Sequence, residues 1–204
     1  MKKSLLSFAI IALISFTSCK KESTEDATKT DEVSESSASG SYTVDAANSV
    51  IDWVGSKPAG KHTGTISLAD GSFDVTDGNV TGGNFTIAMN SITVTDLEGE
   101  DKMNLETHLK GTGDKESEDH FFNVTKYPTG NFKMLSAEPE SGAYFIKGIL
   151  TLKGISKEVS FAAEIIMSDT EIKLISDPFK INRTSWNVNY ASKSLFDNLK
   201  DKFI

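Results

Sequence analysis

The sequence predicts an all-β fold, a single antiparallel domain carrying one or two short helices. Two observations predict it. Apolar residues recur mostly at every second position, the period of a strand with one face on a core. Between these runs stand Asp70-Gly71, Asp77-Gly78, Gly82-Gly83 and Ser141-Gly142, pairs that suit antiparallel connections or bulges. No alternation of strands with helices appears, so a parallel sheet is not expected.

Taken in order, Ile51 and Trp53 share one side of an early strand, and Phe85, Ile87 and Met89 share one side of another. Phe132 and Met134 mark a third. Tyr144, Ile146, Leu150 and Leu152 lie on a face with Gly148. The plainest alternation runs over residues 156–168, where Val159, Phe161, Ala163, Ile165 and Met167 alternate with Glu158, Ser160, Ala162, Glu164 and Ile166. Between residues 90 and 128 charges are dense and the alternation lapses. Short helices are expected there at 100–110 and 116–123, the first packing through Met103, Leu105 and Leu109. A further short helix is expected at 192–200, with Leu195, Phe196 and Leu199 on one side.

The domain so outlined covers residues 42–204. Ahead of it, residues 1–18 have the layout of a signal peptide: Lys2 and Lys3, then an uncharged apolar run from Leu5 to Phe16, too short to span a bilayer. Cys19, the one cysteine in the chain, follows Thr17-Ser18 in the arrangement of a bacterial lipoprotein cleavage site, although Phe16 stands where leucine is usual. Lipidation of Cys19 is therefore expected, and several acyl chains on one residue anchor a protein that a single chain would hold only marginally. Residues 19–41 are polar, with Val33 their one large apolar side chain, and read as a disordered tether. The expected location is the bacterial cell envelope, lipid-anchored in the periplasm or on the outer-membrane surface.

Formal net charge is -8, and removal of Lys2 and Lys3 makes it more negative. This argues against nucleic acid as a partner, since phosphate binding depends on basic side chains that release counterions. No cofactor is expected. The three histidines, His62, His108 and His120, show no helical i, i+4 spacing, so no metal site is expected. No Gly-x-Ser-x-Gly elbow is present, and nothing places acidic pairs such as Asp101 and Glu106 in an apolar cleft. No catalytic residue is assigned, and the chain is not read as an enzyme. Arg183, the one arginine, is a candidate anchor for an anionic head group, because guanidinium pairs with phosphate or carboxylate through two parallel hydrogen bonds. The alternative is a structural ion pair or a cap on nearby carbonyls.

Five stretches, read in order, resemble one family: Gly64-Thr65-Ile66; His108-Leu109-Lys110; Phe121-Phe122 with Lys126-Tyr127-Pro128; Gly148-Ile149-Leu150-Thr151-Leu152-Lys153-Gly154; and Ile181-Asn182-Arg183-Thr184-Ser185-Trp186. Together they are similar to the YceI-like family. The resemblance implies a lipocalin-like antiparallel β-barrel that binds polyisoprenoid or other long-chain lipid in the bacterial envelope, with no established catalytic residues. The candidate lining of such a barrel begins with Trp53, Phe85, Ile87, Met89, Phe132, Met134 and Tyr144. It continues with Ile146, Gly148, Leu150, Phe161, Ile165 and Trp186, with Arg183 at the head group. Gly148 is expected to leave room for a ligand. A small barrel is wide enough either for one slim ligand or for its own side chains, so the same residues fit a tunnel or a packed core. The expected ligand is a long isoprenoid or fatty-acyl chain; the rival is an interaction or adhesion module with a filled core. Similar chains continue beyond the position of Ile204 into another apolar strand, so an open seam is expected here. It would be closed by another route, filled by a partner, or left in a chain that folds poorly. Oligomeric state is not legible.

Overall fold

The computed structural model describes residues 39–57, 60–113, 119–168 and 170–189. The expected signal peptide, Cys19, nearly all of the tether and the helix at 192–200 lie outside them. The described chain forms nine strands: β1 (Gly40–Thr43), β2 (Val50–Lys57), β3 (Gly60–Thr76), β4 (Asn79–Ala88), β5 (Thr93–Val94), β6 (Thr129–Glu140), β7 (Ala143–Leu152), β8 (Ile155–Met167) and β9 (Ile172–Ser176). Helix α1 (Gly99–Lys110) separates β5 from β6. Every pairing is antiparallel, in the order β1-β3-β4-β6-β7-β8-β9, while β2 and β5 both pair with the first part of β3. The sheet curls into a half-barrel.

Turn chemistry sets the register. Asp77 and Gly78 both have positive φ (50° and 72°), as do Ser141 and Gly142 (50° and 88°) and Lys153 and Gly154 (48° and 73°). Two consecutive left-handed residues make the tight turn whose twist matches that of paired strands. These turns join β3 to β4, β6 to β7 and β7 to β8. Asp70-Gly71 and Gly82-Gly83 lie instead inside strands, beside the two places where the β3–β4 register shifts, and a third shift lies between Met134 and Ser136. Such bulges bend a strand and raise its twist.

The concave face carries two packed clusters. Phe73, Val75, Val80, Phe85, Met134, Ile146, Phe161 and Ala163 bury together towards the end marked by the Asp77-Gly78 and Ser141-Gly142 turns. At the opposite end Ile87, Met89, Ile92, Leu150, Leu152 and Val159 pack with Phe121, Val124, Trp186 and Val188. Loop residues plug this second end: Trp186 donates its indole N–H to Leu150 O at 2.9 Å, and Phe122 N and Val124 N donate to Leu109 O and Lys110 O.

Two expectations about the middle of the chain are corrected. Residues 119–123 form turns rather than a helix, and Phe121 and Asn123 have positive φ (42° and 44°), outside the right-handed helical region. Their backbone is committed to α1 and to Asn189 O, contacts that drive Phe121 into the core. Met103 was expected to pack under α1 but is 60% exposed. Leu109 packs against the core, while the Glu106 carboxylate accepts from Val94 N at 2.9 Å, so this short helix is docked partly by a polar contact.

Candidate functional site

A row of aromatic rings crosses the concave face from strand to strand. Phe73 on β3 meets Phe85 on β4 edge-on (4.9 Å), Phe85 meets Phe132 on β6 (6.1 Å), and Phe132 meets Phe161 on β8 (5.6 Å). Phe161 is stacked in turn, 8° from parallel at 4.5 Å, on Phe179 in the irregular segment after β9. The row skips β7 because Gly148 stands there. Its partners in the ladder are Met134 and Val159, whereas Phe132 pairs with Leu150 and Phe161 with Ile146. A side chain at Gly148 would fall on the Phe132 ring.

The same device recurs along the face. A Cβ on Gly71 or on Gly83 would meet the Phe85 ring, and one on Gly64 would meet the Trp53 indole. The expectation that Gly148 leaves room is thus corrected: the inward glycines are notches already filled by rings. Glycine is required there because a flat aromatic face must approach the backbone more closely than any Cβ allows. Dispersion and edge-to-face contacts then hold the row together.

Every apolar residue expected at the lining is on this face or under its plug. Phe85, Met134, Ile146 and Phe161 are core members at one end, with Tyr144 and Ile165 packed against them. Ile87, Met89, Leu150 and Trp186 belong to the other end, with Trp53 beside them. Phe132 touches both clusters. The uncovered apolar surface comes from half-buried residues such as Leu68, Phe132, Tyr144, Ile165 and Leu174, and from Phe179, which is 43% exposed. Sequence reading missed Phe73 and Phe179. Phe73 and Val75 flank Asp74 in the alternation of a strand, a signal present in the sequence. Phe179 follows Asp177-Pro178 in a segment with no period to reveal it.

Arg183 lies part-buried over the Phe121 ring, 4.9 Å from its centroid, and donates from Nη1 to Val188 O. Both contacts tie its guanidinium to the plug. Lys153, in the β7–β8 turn, was not anticipated. Its side chain is 2% exposed, pairs with Asp119 Oδ1 at 2.9 Å and donates to Asn187 O at 2.9 Å and Asp119 O at 3.3 Å. A polar turn residue gives no sequence sign of such burial. Desolvation raises the Asp119 pKa, but the hydrogen bond and charge of Lys153 outweigh it, so the carboxyl is held below its ordinary value. His108 and His120, twelve residues apart, come together at 3.0 Å through Nδ1 and Nε2, while His62 Nδ1 lies 3.0 Å from Asp96 Oδ2. Among the described residues no three metal-ligating side chains converge.

A groove of about 390 Å³ borders the row. On one wall are Lys157 to Ser160 of β8; on the other are Phe179 to Asn182, with Ser185 and Trp186. Here β9 has ended, having paired only with residues 163–167 of β8.

The family profile described as YceI-like domain matches residues 42–203. No curated protein matches this chain in sequence. A solved Campylobacter jejuni YceI protein is similar at 22% identity, over 91% of this chain and 93% of that one, with a TM-score of 0.44. A mutant of that protein carrying a monobromobimane guest gives 21% identity, the same coverages and a TM-score of 0.43. BcnA of Burkholderia cenocepacia is similar at 17% identity over 69% of each chain, with a TM-score of 0.42.

Proposed function

Because this chain belongs to the YceI-like domain family, we propose that it binds a long apolar lipid, of polyisoprenoid or fatty-acyl type, along the concave face of the half-barrel. The observation that carries the reading is the ring row, whose outer member Phe179 remains 43% exposed on the stacked face of Phe161. A flexible chain laid across it exchanges water for aromatic faces at roughly 0.8 kcal/mol per buried CH₂. The mechanism is binding without turnover: a carrier or sequestering protein, not an enzyme. The same reading makes the protein an envelope lipoprotein, its leader removed at Cys19 and residues 19–41 serving as a leash to the membrane. These features rest on the amino-terminal sequence pattern.

A second reading, an interaction module with a filled core, is favoured by the rings that occupy the glycine notches. Expression into a bacterial periplasm, followed by delipidation and titration with isoprenoid and fatty-acyl chains, separates the two. Saturable binding lost in Phe179→Ala supports the lipid carrier. Indifference to every chain supports the interaction module.

A further inference from the structure

Two lysines stand at the groove beside the ring row, and their placement bears on what kind of lipid the site takes. Lys157 occupies an inward position of β8, opposite Leu150 in the ladder and two residues before buried Val159, where the alternation otherwise places apolar side chains. Lys180 faces it from the other wall, next to Phe179. Both are exposed, and neither takes part in an ion pair among the described residues. An inward lysine at the end of an apolar face is costly unless its ammonium reaches water or an anion.

The rest of the lining fits an amphiphile. Val159 and Trp186 form buried parts of the groove wall, Ile181 is half-buried, and Ser160, Asn182 and Ser185 supply neutral polar groups. Glu158 also lines the groove and opposes a bound anion, leaving an excess of one positive charge. Phe179 joins the groove to the row through its stack on Phe161.

We propose that this groove is the head-group site for an anionic amphiphile, a phosphate monoester or carboxylate at the end of a long apolar chain. Lys157 and Lys180 contact the anion while the tail passes Phe179 onto the rings. This inference rests on the lipid-binding reading and narrows its ligand class. The anion is held by charge-assisted hydrogen bonds from the two ammonium groups.

The test is an intrinsic tryptophan fluorescence titration of the purified, delipidated chain, with each probe below its micellar concentration. The probes are monododecyl phosphate, dodecanoate, dodecanol and inorganic phosphate. Both anionic chains are expected to bind about tenfold more tightly than dodecanol, a factor that corresponds to about 1.4 kcal/mol. In the Lys157→Met/Lys180→Met variant that preference collapses to within about twofold. Lys157→Arg/Lys180→Arg keeps the preference, and Glu158→Gln enlarges it. Equal binding of dodecanol and the anions by the wild type, or a preference that survives the double methionine variant, overturns the head-group assignment alone. Inorganic phosphate binding as tightly as dodecyl phosphate overturns it as well, since the site would then take free anions. If no chain of any kind binds, the lipid-binding reading itself falls.

Discussion

Replacing Gly148 with alanine places a methyl group against the Phe132 ring and 2.7 Å from Lys133 O, where ordinary contacts lie at 3.4–4 Å. Lys133 is paired with Ile149 in the β6–β7 ladder, so its carbonyl cannot retreat without disturbing the register. The ring can move only by leaving Phe85 and Phe161, its neighbours at 6.1 and 5.6 Å. Two terms compete. Alanine restricts the unfolded chain and favours folding by roughly 0.5–1 kcal/mol, whereas overpacking a filled site costs roughly 1–3 kcal/mol. Overpacking wins, for a net loss of about 1–2 kcal/mol measured as a lower urea midpoint at unchanged slope. The companion Phe132→Leu variant removes the ring and costs stability by itself. In its background Gly148→Ala should lose about half of its penalty, a coupling of about 0.5–1 kcal/mol. Gly148→Ala as stable as wild type, or an equal penalty with and without the ring, would refute the notch argument.

Three further outcomes follow from the plug and its polar node. Lys153→Met leaves two carbonyls and a half-exposed carboxylate without their buried donor, and should cost roughly 1–3 kcal/mol in urea unfolding; a change under about 0.5 kcal/mol would mean the node is slack. Asp119 has a lowered folded pKa, so its contribution is complete above the ordinary value of 3.8 and is lost as pH falls through the lower folded value. The stability gap between wild type and Asp119→Asn should therefore be level at neutral pH and narrow below about pH 4, read from denaturation midpoints across pH. Trp186→Phe removes the indole bond to Leu150 O and should cost about 1–2 kcal/mol by the same assay.

Much of the fold was legible in the sequence because strands declare themselves by a period of two. The alternation over residues 156–168 corresponds to β8, and the Asp77-Gly78 and Ser141-Gly142 signals are tight turns. The alternation puts Met89 on a strand; the chain has already turned into a 3-10 segment there, yet Met89 remains buried beside Ile87. What failed to show was non-local. Residues 119–123 depend on hydrogen bonds to α1 and Asn189, and the His108–His120 pair joins a helix to that loop. No local pattern encodes either. The apolar members of the site were named from their strand faces, but the reason for Gly148 was not. An inward glycine reads equally as empty space or as a seat for a ring, and only the partner's position decides. Phe179 and Lys153 lie in a segment and a turn where burial has no period.

The most direct test of the central claim is native mass spectrometry, with organic extraction, of the chain expressed into a bacterial periplasm. The account predicts near-stoichiometric long-chain lipid, released by extraction and depleted in the Phe179→Ala variant, whose substitution lies at an exposed ring. A folded wild-type protein of bare mass, empty after incubation with isoprenoid and fatty-acyl chains, would contradict it.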